Sequence, residues 1–181
     1  MPPILGTRNV VWRNEAQCEG FAQHMARGPA ITTALIELHG PLGAGKTTWV
    51  RALLKALGVQ GRIKSPTYAV LETYEIAGVE VSHFDFFRFS DPREFEEAGF
   101  RDIFARPGLK LIEWPEKASG QLPPPDLQLH IEHGDEDRRE VTLQACTAKG
   151  LAMLDHLDHL DHLGHLDQDA PPDAQKGPHV D

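Results

Sequence analysis

The 181-residue sequence has no apolar run near the roughly 18 residues that a membrane-spanning helix needs. Its N-terminus, MPPILGTRN, lacks the basic stretch and following apolar stretch of a secretory leader. The expectation is a cytoplasmic protein that does not engage the membrane. Cysteine is scarce: Cys18 and Cys146 lie far apart with no CxxC spacing, so neither a disulfide framework nor a zinc site is indicated, and both read as small buried hydrophobes. Basic residues are in deficit, 18 Lys and Arg against 27 Asp and Glu. Residues 148–181 hold seven aspartates against two lysines, so about half of the net charge of −9 belongs to the tail. A surface that neutralises nucleic-acid phosphates carries a basic excess, so tight direct binding of tRNA or DNA is disfavoured and any nucleic-acid role is expected to be indirect.

What is present suffices for one core. The hydrophobic fraction of 40% and charged fraction of 25% are close to globular averages, and the length allows one domain with a tail. Asn14 is placed to cap a helix, with Gln17 three residues on and Cys18, Phe21, Ala22 and Met25 on one face. Residues 34–39 read as a strand that runs into a glycine-rich turn. A helix then begins near Lys46, with Val50, Leu53, Leu54 and Leu57 as its apolar face and Gly58 as its stop. Residues 68–74 and 79–84 form a strand pair around Ala77-Gly78. Asp91, Pro92 and Glu94 open a two-turn helix that ends before Gly99. Residues 109–113 are a short apolar strand ending in an acid. Leu127, Leu129 and Ile131 alternate, and Val141 with Leu143 answer them in a second hairpin, expected to close the sheet.

From Leu151 a Leu-Asp-His triplet repeats. Leucines every three residues drift around a helix of 3.6 residues per turn and hold no single face. Residues 1–147 are therefore read as the folded domain. Residues 148–181 are read as a low-complexity acidic tail, solvated and without fixed structure, or at most a frayed or partner-dependent helix. His156, His159, His162 and His165 have a spacing that can gather a metal adventitiously.

The chemistry lies in GPLGAGKTT. Gly40 to Thr47 fits G-x-x-x-x-G-K-[ST], in which Gly40, Gly43, Ala44 and Gly45 turn bare backbone amides toward phosphate oxygens at a helix N-terminus. Lys46 reaches the β and γ phosphates, Thr47 supplies an oxygen to magnesium, and Thr48 completes the loop. ATP and Mg²⁺ are the expected cofactors. The metal also needs a carboxylate at a neighbouring strand end, and two are available. Glu113, closing LKLIE, is assigned to the metal; Asp85, closing VEVSHFD, is assigned to positioning water or the metal shell. Trp114 either covers the nucleotide or fills the core. His83 shares a sheet face with Asp85, where a structural hydrogen bond is its expected role. Arg88 either stabilises transferred phosphate charge or pairs with a local acid, and Thr67 in KSPTY is a candidate γ-phosphate sensor.

The ordered set GPLGAGKTT, KSPTY, HFDFFRF, DPREFEEAGF and LIEWPE resembles the TsaE family, formerly called YjeE, over residues 10–145. The resemblance implies a P-loop NTPase-like α/β fold, a mixed β-sheet flanked by helices in a single domain, with the first helix and its loop near the nucleotide. It implies a bacterial ATPase that works with TsaD and TsaB in making threonylcarbamoyladenosine beside the tRNA anticodon, TsaD performing the transfer and this chain hydrolysing ATP to reset the complex. By position it implies that Lys46 and Thr47 hold phosphate and magnesium, Glu113 holds magnesium, Asp85 is needed for hydrolysis and Trp114 lies near the nucleotide. Phe87 stands where the family usually has tyrosine, and Cys18 and Ala22 stand where threonine and glycine are common.

Three rival readings share the loop. A small-molecule kinase needs an arginine-rich lid, and Arg93, Arg101 and Arg106 are scattered while Arg138 and Arg139 fall on an expected exposed hairpin tip. A GTP switch needs NKxD, which is absent. A nucleotide-binding regulatory subunit with negligible turnover differs only in rate.

Overall fold

The structure, a computed structural model, describes residues 1–164, with residues 160–164 described by backbone alone. Strand β1 (Gly6–Trp12) leads into helix α1 (Glu15–Ala26). Asn14 Oδ1 accepts from Gln17 N at 2.9 Å, and Gln17 Oε1 accepts from Arg13 N at 2.7 Å, so two donors at the helix start are satisfied as a cap requires. Strand β2 (Leu35–His39) enters the glycine loop, and helix α2 (Lys46–Leu57) leaves it, stopping at Gly58 with φ +109°. Strands β3 (Leu71–Ile76) and β4 (Val79–Asp85) join through Ala77 and Gly78, both at positive φ, as a two-residue hairpin turn demands. Short helices α3 (Glu94–Glu97) and α4 (Phe100–Ala105), strands β5 (Leu109–Glu113), β6 (Leu127–His133) and β7 (Arg139–Ala145), and helix α5 (Ala148–Gly164) complete the described chain.

The seven strands form one sheet in the order β1-β7-β6-β2-β5-β4-β3. Its middle, β6-β2-β5-β4, is parallel, and an antiparallel strand or pair extends each side. One face is covered by α1, α2 and α5, where Ala22, Trp49, Leu53 and Leu154 pack with Ile36, Leu38, Leu129 and Leu143. Under α3 and α4 a second cluster joins Phe84, Phe86, Phe95 and Phe100 to Leu35 and Ile112. This is the expected mixed sheet between helices, a P-loop NTPase-like fold.

Four local expectations need correction. The β6-β7 hairpin does not close the sheet, because β1 pairs along β7 from Gly6↔Ala145 to Trp12↔Arg139. Strand β3 starts at Leu71 rather than Tyr68: Val70 adopts φ +69° and its N–H donates to Pro66 O at 2.6 Å, wrapping KSPTYAV into a turn. The two-turn helix after Asp91 is shorter, and Gly99 at φ +74° turns the chain into α4, which the sequence pattern did not predict. The domain also continues past 147. Gly150, Met153, Leu154 and Leu157 stand at i, i+3, i+4 and i+7, and the last three are buried in the main core. Gly150 is needed there, because a side chain would run into the carbonyl of Asp126. The inward face begins with a glycine and a methionine, so the leucine triplet hides it. Residues 165–181 of the expected tail lie outside the described residues.

Candidate functional site

The C-terminal ends of the parallel strands carry the site, where open α/β sheets place ligands. At Gly40, φ is +148° and any side chain would strike the carbonyl of Ile131, so the chain leaves β2 by a route that only glycine permits. The loop closes with Ala44 N donating to Pro41 O at 3.1 Å. Gly45, at φ +105°, then turns the chain into α2 with the helix amides facing the loop. Lys46 Nζ folds back onto the loop carbonyls, donating to Gly40 O at 2.6 Å and Pro41 O at 2.9 Å, and it sits 4.4 Å from the centre of the Trp114 ring. Burial pushes its pKa below the ordinary lysine value, with Glu113, Glu116 and Asp85 opposing.

The two strand-end acids face each other, since Asp85 pairs with Glu113 in the parallel register of β4 and β5. Glu113 Oε1 accepts from Thr47 Oγ1 at 2.7 Å, and Glu113 Oε2 meets His83 Nε2 at 2.6 Å. Asp85 Oδ1 accepts from Phe87 N at 2.9 Å, and Oδ2 accepts from Thr67 Oγ1 at 3.2 Å; the Thr67 hydroxyl also contacts Ser65 Oγ at 2.8 Å. Burial raises the Asp85 pKa above the ordinary carboxylate value, and the Phe87 amide, Thr67 and His83 partly offset this while Glu113 adds to it. Trp114 holds φ +55°, a strained conformation for a bulky residue, and its ring meets that of Phe87 at 5.1 Å.

Lys46, Thr47, Thr67, Asp85, Glu113 and Trp114 line one cleft of about 230 Å³. Across the loop, Trp12, Asn14, Cys18, Thr48, Asp137 and Arg139 line a second cavity of about 290 Å³, and Ala44, Gly45 and Thr48 border both. The all-oxygen pair of Thr47 and Glu113 suits a small hard cation such as magnesium. Among the described residues no group of three or more histidine, cysteine or acidic side chains could hold a metal unaided, so a cation at Thr47 and Glu113 would need phosphate or water as further ligands.

All the sequence-selected loop residues, Gly40, Gly43, Ala44, Gly45, Lys46, Thr47 and Thr48, stand around this junction, and both acids and Trp114 join them. Arg88 forms no ion pair with an acid among the described residues; its guanidinium stacks on the exposed Tyr68 ring at 3.9 Å. Cys18 borders the second cavity, and burial pushes its thiol up to about 12; Ala22 is buried in the core. Sequence reasoning missed Trp12, and it placed Arg139 on an exposed tip. Arg139 instead donates from Nε to Ala44 O at 3.0 Å, bracing the phosphate loop from β7. Only the pairing of β7 with β1 and β6 brings it there, and no local signal reveals that. Of the four tail histidines, His162 and His165 lie outside the residues whose side chains are described; His156 stacks on His24 at 4.2 Å, each Nε2 contacting the other's carbonyl at 3.0–3.1 Å. No described helix is long and apolar enough to cross a membrane.

Comparison with known proteins agrees with this geometry. A family model described as threonylcarbamoyl adenosine biosynthesis protein TsaE matches residues 12–141. The chain is 43% identical over 134 residues to the tRNA threonylcarbamoyladenosine biosynthesis protein TsaE of Haemophilus influenzae, covering 74% of this chain and 84% of that one. It is 34% identical over 111 residues to the protein of the same name from Bacillus subtilis, covering 61% and 69%. Its fold is similar to the crystal structure of Bacillus subtilis YdiB, with a TM-score of 0.73 at 24% identity over 86% of this chain and 97% of that one.

Proposed function

Because the chain belongs to the TsaE family of tRNA threonylcarbamoyladenosine biosynthesis, we propose that it acts there as a magnesium-dependent ATPase working with TsaD and TsaB. The observation that carries this reading is the convergence of Lys46, Thr47, Asp85 and Glu113 on one cleft at the mouth of the phosphate loop.

The triphosphate lies along the loop amides and the start of α2, where backbone donors and the helix dipole favour anions. Lys46 exchanges the carbonyls of Gly40 and Pro41 for β and γ phosphate oxygens, and its desolvated ammonium regains a full counter-charge. The base enters the second cavity beside Trp12, Asn14 and Arg139. Thr47 and Glu113 would hold magnesium, which would supply positive charge to offset that of the phosphates. Asp85, fixed by the Phe87 amide and the Thr67 hydroxyl, orients the attacking water, and Thr67 senses the γ-phosphate. Trp114 and Phe87 shield the cleft.

Partner dependence fits the rim. Leu42, Tyr68 and Phe87 are exposed apolar or aromatic side chains at or next to the cleft residues, a surface that gains from being covered. The acidic balance of the chain fits contact with tRNA through partners rather than directly. ATP turnover of the purified chain, measured alone and with TsaD and TsaB, tests the reading. Stimulation by the pair is expected. Phosphate transfer to a metabolite in their absence would make the protein a kinase, and binding without any turnover in the full complex would make it a regulatory subunit.

A further inference from the structure

We infer that His83 is a positioning residue: from beneath the cleft it holds the Glu113 carboxylate in the orientation that meets Thr47. The inference rests on the proposed role of Glu113 in magnesium binding. His83 lies on β4 two residues before Asp85, on the same sheet face, and is fully buried. Its Nε2 is 2.6 Å from Glu113 Oε2, and a carboxylate only accepts, so Nε2 carries the proton. Each oxygen of Glu113 therefore takes one bond from a different element, β4 on one side and α2 on the other. The terminal torsion of a glutamate is intrinsically broad, and these two opposed bonds are what fix it.

A cation held by Thr47 and Glu113 would draw Oε1 toward itself, so the Thr47–Glu113 bond alone would no longer fix the carboxylate. The bond from His83 then remains to hold the plane of the carboxylate. The imidazole also keeps a cost that a core-filling side chain would not: Nδ1 is buried with no hydrogen-bond partner among the described residues, next to apolar neighbours such as Val81 and Leu111. A phenylalanine or leucine would fill the same space without an orphaned atom. Such a breach of local packing rules is characteristic of a site kept for function.

The test compares His83→Phe, His83→Gln and His83→Asn in the full chain. Calorimetry measures ADP binding in EDTA and then Mn²⁺ uptake by the ADP complex. Glutamine places an amide nitrogen about where Nε2 stands, whereas asparagine stops one bond short. His83→Phe and His83→Asn are expected to keep metal-free ADP affinity within about threefold and to lose roughly 10–100-fold in Mn²⁺ affinity, with His83→Gln recovering most of that loss. Should the phenylalanine variant fail to fold, the glutamine and asparagine pair carries the test. Wild-type Mn²⁺ affinity in His83→Asn overturns the inference, and so does a parallel loss of ADP and Mn²⁺ binding that glutamine does not repair. A wild-type protein that takes up no Mn²⁺ with ADP defeats the magnesium reading itself, and this inference with it.

Discussion

Truncating Leu154 to alanine asks whether the last helix is part of the core. Leu154 is fully buried, and α5 packs there against β1, where a Cβ added at Gly6 would lie 3.5 Å from Leu154 Cδ1. The substitution removes three buried carbons, about 2.4 kcal/mol at roughly 0.8 kcal/mol each. The cavity left behind raises the expected cost to about 3–4 kcal/mol, because strand and helix backbones relax only partly. In a protein of this length that corresponds to a fall in Tm of about 6–15 °C. Urea titration gives the loss directly, with an unchanged m-value showing that the folded state is otherwise the same. The exposed Asp155, one position along, supplies the control: Asp155→Ala is expected to shift stability by no more than about 0.5 kcal/mol. A loss below about 1 kcal/mol for Leu154→Ala would mean that residues beyond 147 are not docked.

Lys46→Met is expected to lower affinity for ATP about 100-fold or more, since two charge-assisted phosphate bonds contribute about 3 kcal/mol or more; titration calorimetry reads it. The same change is expected to raise the Tm of the nucleotide-free protein at neutral pH. The Lys46 pKa is depressed in the fold, so its favourable contribution exists only above the ordinary value of 10.5 and is lost as pH falls, leaving a desolvated ammonium as a net cost at pH 7. Asp85→Asn is expected to abolish partner-stimulated hydrolysis while raising the stability of the chain at pH 7. Here the folded pKa is raised above 3.8, so the acid's contribution is full below that value and lost as pH rises; the variant's advantage therefore disappears in urea titrations below about pH 4. Normal hydrolysis by Asp85→Asn in the full complex would remove that residue from the mechanism.

The phosphate loop was legible because its three parts are consecutive in the chain: an apolar strand, glycines that free the backbone, and a helix with one apolar face. Both acids were legible because each closes a short strand, where a solvated surface role is hard to sustain. That Asp85 and Glu113 stand side by side follows from the parallel register of β4 and β5, which no local pattern specifies. Arg139 illustrates the limit. It sits 95 residues from Ala44 and reaches the loop only through strand pairing, so two adjacent arginines at a polar turn read as surface. Strand β1 was hidden for a different reason. It is an edge strand, and Thr7, Asn9 and Val11 face outward, so its alternation is between half-buried and exposed residues rather than between apolar and polar ones. In α5 the repeat drew attention to leucines, whereas the buried face starts at Gly150 and Met153.

In the proposed function, bare amides at the start of α2 hold a magnesium nucleotide together with Lys46, Thr47 and Glu113. Titrating the purified, folded chain with a non-hydrolysable ATP analogue and Mg²⁺ in a calorimeter addresses it most directly. Saturable binding at one site per chain is expected, greatly weakened in Lys46→Met and weakened by EDTA. No heat from the wild-type protein, or equal heat from Lys46→Met, would contradict it.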